Sequence, residues 1–423
     1  MPVLQTTTRR IHKKSPKKQL VQFLFLLSIA WSFVSINTSK NTFDAPDSIE
    51  HDFVTNTPSS SNRQTRTRRQ YLEPNGKIII TTNQDTELNS STASLTKGNE
   101  TTTDSVRSCG VSEFEKDRVV QYSYFQSQQC KPGIFFIFTN VDSQLPPMYC
   151  CAITSAAHNN PDSSVIVYMQ DVESSWPDHS KCFGHQPNVF VVTLSLEDAF
   201  ENTLLAQWYA DKDKWEISPK DCFTEQNFGN AARLALLYKH GGLYLDLDMI
   251  TINTVDVLDD RAVGKQSKSD VNTAAMNFPP RDPFVDFFID QYIMSFDNCI
   301  WGHNGPFRFT QALRSKGCLP SKSNDLIHHH THSDPDQTCE TLTIYETKMF
   351  YPFHWYSGLL SRHTDDKGYD DLMQSYKDEK DPVFAVHLWN SLQKSSLSKI
   401  ERGSDCVYER LMSQECGADW RTM

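Results

Sequence analysis

The sequence predicts an α/β fold with a Rossmann-type, mostly parallel sheet, preceded by one transmembrane helix and a disordered stem. Three observations support this prediction. Short apolar segments alternate with segments of helical periodicity between residues 134 and 294, a pattern typical of a parallel sheet covered by helices. An uncharged apolar run near the N-terminus has the length of a membrane span. The stretch between these two parts is too polar to form a core.

The charge of the chain is distributed unevenly. The 423 residues carry a formal net charge of −11, yet the first eighteen residues contain six basic and no acidic side chains. The remainder therefore carries −17. An acidic body without a basic face argues against nucleic acid as a partner.

Residues 20–36 (LVQFLFLLSIAWSFVSI) form the predicted membrane anchor. Because the basic cluster precedes this run, residues 1–19 are expected in the cytosol and the rest of the chain across the membrane. A cleaved signal peptide is the alternative. The long basic region and the lack of a clear small-residue cleavage site favour an uncleaved type II anchor. The short span suits the thinner membranes of the early secretory pathway and so favours the Golgi.

Residues 37–108 are predicted to be a disordered luminal stem. They are rich in Ser, Thr, Asn and Gln and poor in apolar residues, apart from the run at 78–80. Such a composition buries too little surface to offset the entropy of ordering the chain. Asn89 and Asn99 begin N-x-S/T sequons and are expected to carry glycan in the lumen.

Residues 109–423 are predicted to be one luminal catalytic domain. All eleven cysteines lie between Cys109 and Cys416, beyond the anchor. An oxidising lumen favours several disulfides. The odd number leaves at least one thiol free or paired with another chain, and the pairing cannot be deduced from the sequence.

The helices and strands of this domain are predicted from the spacing of apolar residues and from residues that typically begin or end helices. Ser195 with Asp198 resembles a capping box, and Phe200, Leu204 and Trp208 continue a helical stripe from it. Gly241 ends a later helix. The predicted strands are 134–138, 165–169, 189–192 and 383–386. The predicted helices are 147–158, 195–208, 283–294 and one whose apolar stripe runs from Ala231 to Tyr238 and ends at Gly241.

The most informative motif is Asp246-Leu247-Asp248, which follows the apolar run that begins at Gly241. Alternate residues of an extended strand share a face, so both carboxylates are expected to point together at the carboxyl end of a strand, where ligands of open α/β sheets bind. Two hard oxygen donors suit Mn²⁺ or Mg²⁺ and, through the metal, a diphosphate. The alternative is a strand-end turn with ordinary caps. Two similar pairs, at 211–213 and 334–336, lie among charges or beside proline and are interpreted as solvated loops.

Further polar residues are predicted around this motif. Asn230 and Arg233 share one face of the preceding helix, and Arg233 could bind phosphate or nucleobase oxygens; the alternative is a surface ion pair. Trp301 begins the loop W-G-H-N-G-P and could stack on a sugar; the alternative is a buried structural Trp.

His387 is predicted as a third metal ligand, because it ends an apolar strand and two carboxylates do not complete a six-donor shell. Asn390 is the substitute. The alternative is that His387 bonds a backbone carbonyl and only shapes the site.

Five sequence blocks together resemble the α-1,4-glycosyltransferases of the lactosylceramide α-1,4-galactosyltransferase and α-1,4-N-acetylglucosaminyltransferase type. The blocks run in family order across residues 134–390 and read FFIFTN, RLALLYKHGGLYLDLD, WGHNGP, FYPFHW and AVHLWN. The D-x-D block is shared by many sugar transferases, whereas the WGHxGP and AVHxWN pair makes the match specific.

The resemblance implies a GT-A fold, a UDP-sugar donor, Mn²⁺, retention of the α configuration and a type II Golgi topology. The expected reaction moves galactose or an N-acetylhexosamine to the terminal sugar of a glycolipid or glycoprotein in α-1,4 linkage. Asp246 and Asp248 match the metal and donor motif, and Asn272 matches an asparagine expected near the donor sugar. The family often has aspartate where this chain has Asn230. The expected substrate-binding residues are Asn230, Arg233, Tyr244, Asn272, Trp301, His303 and Gly305.

Two other functions remain open at this point. One is a catalytically dead, membrane-anchored glycan-binding protein of the same fold, for which Asn230 is the main support. The other is a metal-dependent phosphodiesterase, which is disfavoured because two-metal sites need more ligands than one carboxylate pair.

Overall fold

The computed structural model describes residues 69–72, 78–81, 109, 119–140, 144–170, 181–183, 185–211, 222–320, 339–377 and 382–422. The predicted anchor, both predicted glycosylation sites and the loop at 321–338 lie outside these residues. None of the helices in the described ranges is long and apolar enough to cross a membrane.

The chain divides into two compact units, residues 1–98 and 99–423. In the first unit, β1 (Arg69–Leu72) and β2 (Ile78–Thr81) form an antiparallel pair in which Arg69 faces Thr81. These eight residues lie within the predicted disordered stem. A run of three isoleucines favours the extended backbone of β2, and the disordered stem over 37–108 stays a prediction.

The second unit contains an eight-stranded sheet in the order β11-β9-β10-β7-β4-β5-β6-β3. Five of its seven strand pairs are parallel and two, both made by β10, are antiparallel. The mostly parallel α/β sheet is thus confirmed. The strands are β3 (Val119–Gln121), β4 (Ile134–Phe138), β5 (Val165–Met169), β6 (Val189–Thr193), β7 (Gly242–Leu245), β9 (Ala262–Lys265), β10 (Val271–Phe278) and β11 (Thr343–Tyr345).

Two further strands form a small antiparallel sheet beside the large one. They are β8 (Met249–Thr251) and β12 (Ala385–His387), with Met249 opposite His387. Since β8 follows β7 after only three residues, this pairing brings the C-terminal part of the chain to the end of a central strand.

Hydrophobic cores cover both faces of the sheet. The strand β4 is buried along its whole length. Phe136 belongs to one core and Phe135 to the other, as alternation along a strand requires. The helices are α1 (Tyr122–Ser127), α2 (Pro147–Asn159), α3 (Leu196–Phe200), α4 (Leu205–Ala210), α5 (Thr224–His240), α6 (Pro283–Met294), α7 (Arg308–Ser315), α8 (Asp366–Tyr376), α9 (Asn390–Leu397) and α10 (Val407–Cys416).

The predicted single helix over 195–208 is wrong, because the structure has two helices there. The start is as expected, since the Ser195 hydroxyl accepts the Asp198 amide at 3.0 Å. Asn202 then adopts a left-handed φ of 59°. Thr203 accepts the Leu205 amide at 3.2 Å and begins α4. The periodic stripe of apolar residues therefore spans a break that local capping creates.

Most of the remaining predicted elements agree closely with the structure, but the strand predicted at 383–386 lies at Ala385–His387. Helix α6 has the predicted bounds, with its inward Phe284, Phe288 and Tyr292 buried. Helix α5 ends at Gly241, which has a left-handed φ of 68°. A side chain at Gly241 would lie 2.7 Å from the carbonyl oxygen of Phe278, so the turn into β7 requires glycine for both conformation and space.

Ten of the eleven cysteines form five disulfides, and Cys406 is free and buried. The prediction of several disulfides with an odd thiol is confirmed. The pairs are Cys109–Cys130, Cys150–Cys182, Cys151–Cys416, Cys222–Cys299 and Cys318–Cys339.

The disulfides differ greatly in the length of chain that they close, which predicts different contributions to stability. Cys151–Cys416 spans 265 residues and Cys318–Cys339 spans 21. The chain-entropy model gives about 5 kcal/mol for the longer loop and about 3 kcal/mol for the shorter. We expect the double alanine variant of the first pair to lose more free energy of unfolding than that of the second in denaturant titrations. Cys406→Ser is the control and should unfold like the wild type. Equal losses for the two pairs would contradict the prediction.

Candidate functional site

The two carboxylates of the D-x-D motif lie on a tight turn at the end of a central strand. Strand β7 ends at Leu245, and the turn is closed by the Met249 amide, which donates to the Asp246 carbonyl at 2.9 Å. The Asp246 amide donates to the Ala274 carbonyl on β10 at 2.8 Å. The expectation that strand alternation brings the carboxylates together is therefore wrong. The turn does so, because the extended backbone stops one residue before the motif.

Asp246 is held by groups from the N-terminal side of the turn. Its Oδ1 lies 3.0 Å from Arg233 Nη2 and accepts the Tyr244 hydroxyl at 2.5 Å. Within the described residues, no hydrogen bond to Oδ2 is formed. The carboxylate is thus fixed through one oxygen, and Oδ2 is the oxygen that could bind a cation.

Arg233 is buried behind Asp246. Its Nη1 donates to the Thr273 carbonyl at 2.8 Å, and its guanidinium lies 4.5 Å from the centroid of the Tyr244 ring. Burial alone would lower the pKa of Arg233, but the charge of Asp246 raises it, so the cation persists. The surface ion pair considered from the sequence is therefore a buried one, and the geometry makes Arg233 a support for Asp246.

Asp248 is held by groups from the C-terminal part of the chain. Its Oδ1 lies 3.2 Å from His387 Nε2, and its Oδ2 accepts the backbone amide of Asn390 at 2.8 Å. Burial alone would raise the pKa of Asp248, but the charge and hydrogen bond of His387 hold it below its usual range. Burial likewise would lower the pKa of His387, and Asp248 raises it.

Asp246, Asp248 and His387 form a cluster whose ligand atoms all lie within 4.8 Å of one another. Two carboxylates supply the hard oxygen donors that Mn²⁺ and Mg²⁺ prefer, and a neutral imidazole is an acceptable further ligand for Mn²⁺. The donor set therefore fits one divalent cation. Asn390 contacts Asp248 through its backbone amide, while its side-chain nitrogen lies 3.5 Å from the Tyr149 hydroxyl.

Two tyrosines beside the cluster were missed by the sequence analysis. Burial and then the charge of Asp248 raise the pKa of Tyr149 to about 12. Burial and then the charge of Asp246 raise the pKa of Tyr351. Both stay protonated at neutral pH and can donate to an anion. Their only signal in the sequence was their place beside Cys150 and in the FYPFHW block.

Asn272 uses both ends of its amide within its own hairpin. Its nitrogen donates to Gln266 Oε1 at 2.7 Å, and its oxygen accepts the Ala274 amide at 2.9 Å. Ala274 in turn accepts the Asp246 amide through its carbonyl. The side chain thus shapes the bulged part of β10 that supports the turn.

The WGHNGP loop reaches the N-terminal half of α5. A Cβ placed on Gly305 would lie 3.2 Å from Thr273 Oγ1 and 3.7 Å from Asn230 Oδ1. Because Arg233 donates to Thr273, this loop adjoins the residues that support the motif. Asn230 itself donates to Asn227 at 3.4 Å.

The aromatic side chains of the same loop are partly exposed. Trp301 is 46% exposed, which rules out the buried structural role, and it packs edge-on against Phe223 with the ring centroids 5.0 Å apart. His303 stacks on Phe307 at 5.6 Å, and its Nε2 lies 2.9 Å from the Ser295 carbonyl. The structure thus brings Asn230, Arg233, Tyr244 and Gly305 together and leaves Trp301 accessible.

A cleft of about 570 Å³ lies apart from the cluster, at the far edge of the sheet. It adjoins the carboxyl ends of β3 and β6 and contains none of the cluster residues. Its polar lining includes Gln121, Gln170, Thr193, Ser195 and Glu201.

Two family models match the chain. Residues 277–423 match an alpha 1,4-glycosyltransferase conserved region, and residues 146–268 match a glycosyltransferase sugar-binding region containing a DXD motif. The second match includes Asp246 and Asp248, and the first includes His387.

Several known proteins are similar to the chain. It is 30% identical over 302 residues to lactosylceramide 4-alpha-galactosyltransferase of Rattus norvegicus, covering 69% of this chain and 76% of the relative. It is 25% identical over 309 residues to alpha-1,4-N-acetylglucosaminyltransferase of Homo sapiens, covering 69% and 80%. Among solved structures, PaToxG glycosyltransferase shares 16% identity with a TM-score of 0.37 and covers 44% of this chain and 69% of that one. A TM-score of that size supports no conclusion about this chain.

The contact between Asp248 and His387 predicts a pH-dependent stability in protein freed of divalent cations by a chelator. The raised pKa of His387 means that its contribution is complete below 6.5 and is lost as the pH rises through the folded-state pKa. The lowered pKa of Asp248 means that its contribution is present above 3.8 and is lost as the pH falls through its folded-state value.

His387→Gln should therefore reduce the free energy of unfolding by about 1.5–3 kcal/mol, the usual value of a hydrogen bond to a charged group, between about pH 4 and 6.5. The deficit should shrink at higher pH in denaturant titrations. His303→Gln is the control. A deficit that grew above pH 7 would show that the contact does not depend on the imidazolium.

Proposed function

Because the chain belongs to the α-1,4-glycosyltransferase family, we propose that it moves a hexose from a UDP-sugar to the terminal sugar of a glycolipid or glycoprotein in α-1,4 linkage, with retention. The observation that carries this proposal is the cluster of Asp246, Asp248 and His387 at the carboxyl end of a central strand. Ligands of open α/β sheets bind at such ends. The cluster suits one cation that would hold a diphosphate.

The proposed ligands differ in how directly they bind. Asp248 and His387 would be the direct ligands, since their side chains lie 3.2 Å apart, with Asp248 on the turn before β8 and His387 at the end of β12. Asp246, whose Oδ1 is held by Arg233 and Tyr244, would use its open Oδ2 to contact the cation through water, or would contact the ribose. A divalent cation bound there would act as a Lewis acid and neutralise charge on the departing diphosphate, an effect of several kcal/mol.

The side chains around the cluster would orient the UDP-sugar and stabilise the charge of its departing diphosphate. Tyr149 lies beside Asn390 at the mouth of the cluster and remains a neutral donor, so it can donate a hydrogen bond to a phosphate oxygen. The acceptor hydroxyl forms the new bond to the anomeric carbon while the bond to UDP breaks. The hydroxyl proton passes to the departing phosphate oxygen, and UDP leaves with the electron pair.

Retention is proposed from the family resemblance, and the engagement of both carboxylates bears on the route by which it would occur. Asp246 is paired with Arg233 and Asp248 with His387, so neither is placed as a free nucleophile toward the anomeric carbon. A same-face displacement assisted by the leaving phosphate is therefore the proposed route, through the oxocarbenium character familiar from glycoside hydrolysis.

The proposed setting is the Golgi membrane. The run at 20–36 with the basic residues before it supports a type II anchor, and the disulfides fit an oxidising lumen. Asn89 and Asn99 are then luminal glycosylation sites. Two relatives are named for transfer of galactose to lactosylceramide and of N-acetylglucosamine, so galactose and the two N-acetylhexosamines are the candidate donor sugars.

A catalytically dead glycan-binding protein is the second candidate, and Asn230 is the observation that favours it. The family often has aspartate at this position. Here the amide forms a hydrogen bond to Asn227, so this position is satisfied without a carboxylate. The intact cluster favours the enzyme.

Transfer by the full-length protein in detergent tests the proposal. With Mn²⁺ and lactosylceramide, we expect one of UDP-galactose, UDP-N-acetylgalactosamine and UDP-N-acetylglucosamine to release UDP and form a product, detected by mass spectrometry. Asp248→Asn keeps the shape of the side chain but removes the charge, and should lower kcat by about a hundredfold or more. Asp162→Asn, an exposed position, is the control. If the protein releases UDP from none of the three donors, the catalytically dead glycan-binding protein is supported. If Asp248→Asn has near-normal activity, Asp248 is not a metal ligand that the reaction requires.

Metal affinity tests His387 separately. In the presence of UDP, His387→Ala should weaken Mn²⁺ binding by about tenfold, roughly 1.4 kcal/mol. Because a metal must displace the proton that Asp248 favours on His387, affinity in the wild type should fall as the pH drops through the raised pKa of His387. Isothermal titration in two buffers of different ionisation enthalpy measures this proton release. Unchanged affinity would place His387 beside the sugar instead, and Asn390→Ala would then be the variant to compare.

A further inference from the structure

Trp355 and Tyr356 form an exposed pair of aromatic rings, here termed the aromatic ledge. Trp355 is 44% and Tyr356 66% exposed. Their ring planes meet at 77° with the centroids 5.4 Å apart, so the two rings form a corner open to solvent. Large aromatic side chains that cluster at the surface commonly mark a binding site.

The ledge stands on a fixed turn. The Ser357 amide donates to the His354 carbonyl at 2.9 Å, and Gly358 takes a left-handed φ of 65° immediately afterwards. Just before the turn, the Phe353 carbonyl accepts the indole N–H of Trp389 at 2.7 Å. The rings are therefore presented in a defined orientation, which lowers the entropy cost of binding.

A series of ring contacts joins the ledge to the metal cluster. Tyr356 lies against His354 with the centroids 3.8 Å apart, and His354 stacks on Trp389 at 5.6 Å with the planes at 27°. Trp389 contacts His387 at 4.4 Å, and His387 lies 3.2 Å from Asp248. The ledge is thus three ring contacts from the proposed metal ligand.

The segment that leads into the ledge lies on the antiparallel side of the sheet. It packs on β9, since a Cβ on Gly264 would lie 2.8 Å from Phe350 and 3.0 Å from Tyr351. Strand β9 and the parallel strands β4, β5 and β6 lie on opposite sides of β7. A nucleoside is expected beyond the carboxyl ends of the parallel strands, so the ledge is on the side left for the other substrate.

We propose that the aromatic ledge binds a pyranose ring of the acceptor glycan. This inference rests on the proposed function, because it assigns the second substrate of the same site. A pyranose has an apolar face of C–H groups that packs on an aromatic ring, while its hydroxyls stay in water or bond at the rim. The outer face of Tyr356 would carry that ring, since its inner face lies on His354, and Trp355 would bound it from the side.

Kinetics with two substrates tests the ledge in the full-length protein. The acceptors are lactosylceramide in detergent and a water-soluble lactoside, and the donor is the UDP-sugar used by the wild type. Trp355→Ala and Tyr356→Ala should each raise the KM for both acceptors by about fivefold or more, while the KM for the donor stays within about twofold. Tyr356→Phe, which keeps the ring, should restore most of the affinity.

Tyr124→Ala is the matched control, because Tyr124 is similarly exposed at 50% but lies on α1. Melting temperatures check that each variant is folded. The inference is overturned if the acceptor KM does not change, or if the donor KM rises by the same factor. It is also overturned if only the lipid acceptor is affected, since the ledge would then contact lipid rather than sugar. If the wild-type protein transfers no sugar, the proposed function is contradicted, and the assignment of the ledge fails with it.

Discussion

Two partly buried carboxylates lie at the end of a central strand, and the arrangement of the elements around them provides a positively charged partner for each. Burying a charge is costly unless it is paired, and here each carboxylate has its own partner. Asp246 is paired with Arg233 from α5, and Asp248 with His387 from β12. The turn therefore joins the two halves of the second unit, and the charge balance is complete even without a cation. A bound cation would neutralise part of the negative charge of the carboxylates. His387 could then lose its proton, so the positive charge of the site would not become excessive.

The disulfides hold the segments that meet at this turn. Cys151–Cys416 ties α2, which carries Tyr149, to the C-terminal helix α10. Cys222–Cys299 ties the start of α5 to the approach of the WGHNGP loop. Segments far apart in sequence can therefore supply precisely oriented side chains even where the backbone between elements is irregular. The site is assembled from loops and strand ends that gain rigidity from covalent links.

The regular elements could be predicted from the sequence because each has a local cause. The alternating apolar segments predicted the parallel strands, and Gly241 predicted the end of α5. The break after Phe200 could not be predicted, because the apolar stripe continues through it and the break is marked only by the left-handed Asn202 and the hydrogen bond from the Leu205 amide to the Thr203 hydroxyl. The turn at Asp246 was taken for a strand for a similar reason, since apolar residues on both sides continue the pattern of a strand.

The sequence identified most residues of the site, but it did not reveal the contacts that each of them makes. The motif, the strand-end histidine and the helix arginine were found from type and position, whereas the burial of Arg233 against Asp246 depends on a tertiary contact that no local pattern encodes. The positions of Tyr149 and Tyr351 give only a weak signal, because a tyrosine beside cysteines or aromatic residues is ordinary core composition. The disulfide pairing was undetermined for the same reason, since spacing alone leaves many pairings open.

Anomalous diffraction at the manganese edge, from crystals grown with Mn²⁺ and UDP, tests most directly whether Asp248 and His387 bind a cation. We expect a single strong peak at the turn after β7, bonded to Asp248 and His387, with Oδ2 of Asp246 reaching it only through water or contacting the ribose, and with the diphosphate on its open side. A peak elsewhere, or one that touches neither Asp248 nor His387, would contradict this expectation.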